Sequence, residues 1–385
     1  MLCNASQFGT VAELEPDDYW APAEDVVATI DLGDRVTDVV ASPDGEHVYV
    51  AQPGSVAVIG SGNHVVARIA VNGSPRGLAI QADGARLFAI DFDGSLSVIN
   101  TDDRTVRTVP GHWSDVVVGS DGGYLWAAAG SDSYISRIDV EGTEVAAVPI
   151  ANEITALAVS PDGTRLYAAS SEQLPYHQYP AGRVTVIDAA SQALTATIAV
   201  GASPDGVAVS PDGASLYVTH HDTHSISAVD LRTETVTPIA LADAPVDVTF
   251  TPDGAHAYVT SRQSAAVIDA STNEVEDIAA GDLPRGLQVS PDGKRAYITN
   301  FGDCTVSVVD TITNSVTAAV AVGGHPEAIA VSAHGERVYV GDYWSGTVTV
   351  ISAPSLQDGS ASRSLEKVSA ADQLVTANAT ALTLA

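Results

Sequence analysis

The sequence predicts an all-β chain: a single β-propeller of four-stranded antiparallel blades, eight by count with seven as the alternative, closed by an N-terminal strand. Three observations lead there. A Pro-Asp-Gly turn, or a worn version of it, recurs along the chain. The segments between copies are short, rich in Val, Ile, Thr and Tyr, and bounded by turn residues. Helical periodicity is missing from the repeated region.

The Asp-Gly pairs begin at Asp44, Asp83, Asp121, Asp162, Asp212, Asp253 and Asp292, with an eighth copy at His334-Gly335. Successive spacings are 39, 38, 41, 50, 41, 39 and 42 residues, a period near 41 with one insertion of about ten between Ser170 and Arg183. Such a period marks a repeat architecture. The unit from Pro284 to Val322 shows the grammar. Arg285–Ser290 alternates as a strand, and Pro291-Asp292-Gly293 turns, proline presetting φ and glycine taking the positive φ. Arg295–Asn300 is a second strand, Phe301–Cys304 a loop, Thr305–Asp310 a third strand, Thr311–Asn314 a turn and Ser315–Val320 a fourth strand. Four strands per unit cannot bury both faces alone, so blades stack around an axis. The last unit offers only three strands, Glu327–Ser332, Arg337–Gly341 and Thr347–Ile351. The segment Asp25–Asp31 reads as the missing fourth and latches the ring. The first and third units are worn, which keeps seven blades as the alternative. Domain boundaries follow: an N-terminal tail over residues 1–23, the propeller over 24–353, and a C-terminal tail over 354–385, where Ser364–Leu374 reads as a short helix.

The phrases Leu216-Tyr-Val-Thr219, Ala257-Tyr-Val-Thr260, Ala296-Tyr-Ile-Thr-Asn300 and Val338-Tyr-Val340, each following the turn, resemble the YVTN family of β-propeller repeats. Gly201–Gly213 and Thr305–Asp310 fit the same pattern. The resemblance covers about residues 24–353 and speaks to fold. It implies kinship with surface-layer propellers, lactonase-like propellers and the haem-binding propeller domain of nitrite-reductase-type proteins, among which seven blades are common.

Charge excludes several partners. The chain carries 48 acids against 17 Lys and Arg, a net charge of −31, and its only lysines are Lys294 and Lys367. No basic patch is available to neutralise a phosphate backbone, so nucleic acid is not expected. Acidity repels anionic membranes, and no run of roughly 18 apolar residues exists to span one. Met1–Ser6 has neither a basic region nor an apolar core, so a cytoplasmic protein is expected; a secreted protein without its leader reads the same way. Cys3 and Cys304 are expected to stay apart.

Propeller geometry sorts side chains onto two faces. Loops leading into first strands and loops between second and third strands share one face, the top; the Pro-Asp-Gly turns lie at the bottom. His112 and His325, the run His220-His221-Asp222-Thr223-His224, and His177 in the insertion all fall on top; His47, His64, His256 and His334 fall at the bottom. His177, His220, His221 and His224 are candidate acid–base residues. His177, His221, Asp222 and His224 are candidate ligands for a divalent transition metal, since neutral imidazole ligates zinc, copper, nickel or iron. The insertion Glu172–Pro180 would close over such a site as a lid. The plainer reading is polar loops bonding their own backbone: His220 stands where Asn300 stands in the seventh unit.

A second candidate is the mouth of the channel. Alignment on the Asp-Gly pairs places Thr37, Arg76, Ser114, Thr155, Asp205, Val246, Arg285 and Glu327 at one position. Arg76 and Arg285 suit a carboxylate or phosphate, with Asp205 and Glu327 as their alternative structural partners. His112, Trp113, Arg76, Arg285, Glu327, Tyr343 and Trp344 form the candidate ligand-binding set, and Phe92, Tyr176, Tyr179 and Phe301 add aromatic surface. No nucleophile elbow, phosphate loop or EF-hand is present. The first functional expectation is therefore a propeller that binds a small molecule or a partner loop on its top face. The alternative is a small-molecule enzyme of lactonase, lyase or tailoring type that uses top-face histidines, with or without a metal. A haem-binding propeller using His220, His221 or His325 ranks third, because few basic residues are on hand to meet propionates.

Overall fold

The computed structural model describes residues 26–119, 122–172 and 180–353. They form eight four-stranded antiparallel sheets, one per blade. Seven are built from consecutive strands. The eighth orders Val26–Asp31, Thr347–Ser352, Arg337–Asp342 and Pro326–Val331, so the first strand of the chain completes the last blade. The latch pairs Ala28 with Val350 and Ile30 with Val348. Both worn units fold as blades, over Asp38–Ala70 and Asp115–Pro149. In the fourth blade the second strand runs to Ser171 and the third starts at Gly182, leaving the insertion between them; residues 173–179 and both predicted tails lie outside the described residues.

Burial follows from stacking. Second and third strands are covered on both faces by neighbouring blades: Arg295–Asn300 and Thr305–Asp310 are buried along nearly their whole length. Fourth strands are outermost and alternate, as in Ser315–Ala321. The apolar core is divided accordingly into clusters that each join two adjacent blades. One joins Tyr297, Val306 and Val308 of blade 7 to Ile329, Val338 and Val340 of blade 8; another joins Tyr339 and Val348 of blade 8 to Val39, Val48 and Val50 of blade 1.

Polar groups reinforce the same contacts. The Tyr258 hydroxyl donates to Asn314 Oδ1 of the next blade at 2.8 Å, and Tyr217 does the same to Asn273 at 3.1 Å. Both asparagines sit at positive φ in tight turns, +52° and +60°. At the bottom face Asp162, Asp212, Asp253 and Asp292 each accept a hydrogen bond at 2.6 Å from the Ser or Thr two residues earlier. Each also accepts one from the backbone N–H two residues later. These bonds hold the Asp162, Asp212 and Asp253 carboxyls below the usual carboxylate range. The glycines of five turns, Gly84, Gly213, Gly254, Gly293 and Gly335, face the proline of the preceding turn: a Cβ on Gly213 would lie 3.6 Å from Pro161 Cδ, and one on Gly254 3.5 Å from Pro211 Cδ. Gly45 closes this lower ring against the His334 imidazole at 3.5 Å, which gives that bottom-face histidine a packing role.

Two predictions follow from the packing and the charge. Tyr258→Phe keeps the apolar contact and removes only the bond to Asn314, so urea unfolding is expected to show a loss of about 1 kcal/mol. Even if every Lys and Arg paired with an acid, 48 − 17 = 31 acids would remain unpaired. Raising ionic strength from about 0.01 M to about 1 M shortens the screening length roughly tenfold. The melting temperature is therefore expected to rise over that range with sodium chloride, and a flat or falling profile would contradict the charge argument.

Candidate functional site

The inner strands line the axis, and their free edges expose backbone N–H groups that no fourth neighbour pairs. Aspartates cap several of them. Asp38 accepts from Val39 N at 2.8 Å and from Leu78 N of the next blade at 2.7 Å. Asp115 repeats this with Val116 N and Leu157 N at 2.8 and 2.7 Å. Asp247 accepts from Val248 N at 2.8 Å. Burial pushes all three carboxyls up to about 7 against the lowering effect of those N–H donors. These are ties across the channel wall first and titrating groups second.

The aligned ring divides in two. Arg76 leans toward blade 3, where its guanidinium donates to the Ser114 carbonyl near Asp115, and burial lowers its pKa. Thr37 Oγ1 donates to Pro75 O at 2.6 Å. Asp205 accepts from His221 N at 2.6 Å. These members join blades or loops. Burial raises the Glu327 carboxyl, and the positive charge of Arg285 partly offsets that rise.

From Arg285 an arc of side chains crosses blades 7, 8 and 1. The Arg285 guanidinium lies 5.9 Å from the centre of the Phe301 ring. Phe301 stacks on His325 with centroids 4.6 Å apart and planes at 23°. His325 Nδ1 is 3.0 Å from Phe301 O; a carbonyl only accepts, so Nδ1 is the donor of this bond. Tyr343 N meets His325 O at 3.3 Å. The Tyr343 hydroxyl accepts from Arg35 Nη1 at 3.4 Å, its ring lies 5.7 Å from that guanidinium, and Trp344 packs edge-on at 5.4 Å. Trp344 is 69 % exposed. In a strongly acidic chain, two guanidiniums and an imidazole share one aromatic-rich rim.

The histidine run of blade 5 is not assembled in this manner. His220 is fully buried; Nδ1 is 2.9 Å from Ala202 O and Nε2 2.8 Å from Ser227 Oγ. With both ring nitrogens engaged it is a structural residue and has no free atom for catalysis, which corrects that expectation. Burial lowers its pKa. His221 Nδ1 lies 3.6 Å from Asp222 Oδ1, and His224 is exposed in a turn at φ +48°. Among the described residues no three His, Cys, Asp or Glu side chains converge to hold a metal, so His221, Asp222 and His224 do not form a ligand set by themselves. His177, with Tyr176 and Tyr179, lies outside the described residues. Trp113 is also corrected: at 3 % exposed it packs in the core between blades 2 and 3, edge-on to Tyr134, rather than walling a ligand site. Its neighbour His112 is exposed. Cys304 is buried in the upper loop of blade 7; its expected separation from Cys3 concerns a residue that lies outside the described residues.

Alignment on the turns missed Arg35, which sits two residues before the ring position held by Thr37 and reaches the arc across the blade 8–blade 1 junction. A search for arginines anywhere in the lead-in loops finds it.

Comparison with known proteins places the fold. The chain is a β-propeller. The family described as the Cytochrome D1 heme domain matches residues 258–379, which include Arg285, Phe301, His325 and Tyr343 but make up 122 of 385 residues. The chain is 36 % identical over 133 residues to the seven-bladed beta-propeller protein Rv1057 of Mycobacterium tuberculosis, covering 31 % of this chain and 33 % of that protein. It is 27 % identical over 172 residues to Antigen Lp49 of Leptospira interrogans, covering 40 % and 38 %. It thus spans between about a third and two fifths of the length of these curated relatives. Among solved structures, hydrazine synthase of Kuenenia stuttgartiensis superposes over 90 % of this chain and 99 % of that one, with a TM-score of 0.58 and 19 % identity, a likeness of fold.

His220→Ala strands the Ala202 carbonyl and the Ser227 hydroxyl in the interior. A loss of about 1–3 kcal/mol is expected in urea unfolding, whereas His221→Ala and His224→Ala are expected to stay within about 0.5 kcal/mol of the parent.

Proposed function

We propose that this chain is a YVTN-type propeller that binds a small organic anion with a flat ring on its top face, at the rim of blades 7, 8 and 1. The observation that carries this reading is the arc itself: Arg285 against Phe301, Phe301 stacked on His325, and Arg35 against Tyr343. Aromatic faces take a planar ligand, and guanidinium groups take its carboxylate or sulfonate by paired N–H donors. The Glu327 carboxyl, whose charge Arg285 partly offsets, disfavours ligands without a matching charge.

A second reading has its own support. The family match over residues 258–379 contains most of the arc, and the bond of His325 Nδ1 to Phe301 O leaves Nε2 on the far side of the ring as the nitrogen that could ligate. A haem-type macrocycle fits that donor set: His325 offers the iron ligand, Phe301 and Tyr343 offer aromatic surface, and Arg35 and Arg285 offer partners for its carboxylates. The bound group would supply redox chemistry; the chain would supply position and charge.

The two readings separate by titration. With the fluorescent aromatic anion anilinonaphthalene sulfonate, saturable one-to-one binding is expected, weakened about tenfold or more by Arg285→Ala and by Phe301→Ala, a loss on the order of 1.4 kcal/mol or more. Binding that ignores both substitutions would overturn the site. With haemin, a Soret band lost in His325→Ala would favour the second reading over the first.

A further inference from the structure

In blades 5 and 6 the tyrosine of the second strand shuts the bottom of the seam by bonding the turn before the fourth strand of the next blade. Tyr217 meets Asn273 at 3.1 Å, and Tyr258 meets Asn314 at 2.8 Å. Blade 1 has Tyr49 at this position, and blade 2 answers with Arg104. Arg104 keeps the left-handed backbone of the asparagines, φ +61° against +60° and +52°, but has no side-chain carbonyl to offer the phenol. The tie is lost, and a cavity of about 220 Å³ opens between the two blades, lined by both.

Tyr49 is 4 % exposed, and the His47 ring lies against it with centroids 6.4 Å apart and planes at 30°. Thr101 is the side chain that hydrogen-bonds the Tyr49 hydroxyl. The Thr101 hydroxyl already donates to Gly84 O at 2.6 Å, so the phenol donates to Thr101, and its own oxygen meets no donor among the described residues. Three carboxylates border the same cavity. Asp44 Oδ1 takes the Ser42 hydroxyl and Glu46 N, which leaves Oδ2. Asp83 takes Ala85 N at 2.9 Å but lacks the hydroxyl donor of the other turns, because Gln81 stands in place of Ser or Thr and its amide crosses to Gly122 O. Asp102 and Arg104 are exposed at the mouth, and Arg104 makes no ion pair among the described residues. Three carboxylates against one guanidinium leave two net negative charges, counting His47 as neutral.

We propose that the cavity at the bottom of the seam between blades 1 and 2 binds a small aliphatic diamine. Two ammonium groups match the net charge of the lining. Their N–H groups supply the donors that the buried Tyr49 oxygen and the remaining oxygens of Asp44 and Asp83 lack. The Tyr49 and His47 rings give the cation and its alkyl linker a face to lie on. The other bottom turns are acidic as well, but at Asp253 and Asp292 the carboxylates are held by their own Thr and Ser hydroxyls, and Tyr258 in that seam is tied to Asn314. Two departures from the repeat, Arg104 for asparagine and Gln81 for Ser or Thr, therefore act on one cavity. A ligand seated there replaces the missing tie and touches both blades, so binding stabilises the ring. The site lies on the face opposite the arc of blades 7, 8 and 1 and does not depend on it.

Calorimetric titration of the full chain with putrescine in about 0.15 M salt tests this. One saturable site is expected, with butylamine, which has a single ammonium group, binding about tenfold or more weakly. Arg104→Asn restores the residue that blades 6 and 7 carry. It is expected to raise the melting temperature by adding the bond from Tyr49, and to weaken putrescine about tenfold or more by shutting the cavity. General attraction to an acidic surface requires the reverse, because this substitution removes a positive charge. Asp83→Asn and Tyr49→Phe are each expected to weaken putrescine severalfold. Glu234→Gln, an equal loss of charge in an exposed bottom turn of blade 5, is expected to leave binding unchanged. These three variants decide the matter if Arg104→Asn does not fold. Putrescine that fails to bind the parent, that binds Arg104→Asn as tightly or more tightly, or that weakens equally in Asp83→Asn and Glu234→Gln would each overturn the site.

Discussion

Contact between adjacent blades is the constraint on which everything else rests. The propeller has no common core. Its apolar side chains are partitioned into clusters that each bridge two neighbours, so every blade depends on both flanking blades, and the chain of dependence closes only because Val26–Asp31 returns to pair with Thr347–Ser352. A repeat array without such closure ends in bare strand edges and an uncovered apolar face. Polar ties run along the same seams: Tyr258 to Asn314, Thr37 to Pro75 O, and Asp38 to Leu78 N each leave one blade and end on the next. The ring is held by nearest-neighbour terms, and the top face inherits its rigidity from them.

The same residue type has opposite roles at different depths. Aspartates in the bottom turns accept two or more donors in the open, and their carboxyls are held below the ordinary range. Their contribution to stability is present above the ordinary pKa and is lost as pH falls through the lowered one. Aspartates on the channel wall are desolvated and raised to about 7, so their contribution runs the other way and is lost as pH climbs through that value. Acid weakens the turns and alkali weakens the channel wall, which sets the stability maximum between the two ranges. Added to this is the repulsion of a chain with net charge −31, which grows as the channel acids ionise.

Fold was legible because the turn chemistry is local. A Ser-Pro-Asp-Gly phrase contains its own hydrogen bonds and its own positive φ, so period, strand count and latch could be read from spacing alone. Sites were less legible because they depend on which way a side chain leans between blades. Arg76 and Arg285 occupy the same repeat position, yet one turns to Ser114 and Asp115 while the other lies against Phe301. The histidine run looked like a ligand cluster because sequence proximity was taken for convergence. In a strand, successive side chains point to opposite faces, and His220 points into the blade while its neighbours sit in the turn above. Trp113 was taken as exposed because its loop is on the top face, although its ring fills the gap between blades 2 and 3. Arg35 was missed because alignment on the turns compares equivalent positions, and the arc is built from non-equivalent ones.

That last point bears on how a repeat protein acquires a site. Positions that bond within the blade constrain one another, so most copies converge on residues that satisfy each other, as Asn300 and Ser307 do. Chemistry has to enter where a copy departs from that arrangement without losing its contacts to the neighbours. Blade 2 departs by putting Arg104 where blades 6 and 7 have an asparagine, and blades 7, 8 and 1 depart by filling their upper loops with aromatic and cationic side chains that touch across the seam instead of within a blade. The seam between blade 8 and blade 1 is where such freedom is greatest, because its two sides are contributed by opposite ends of the propeller. Arg35 and Tyr343, 308 positions apart in sequence, meet there at 3.4 Å. Closure of the ring brings them together, so the strand that holds the fold shut also completes the rim on which the ligand is proposed to bind.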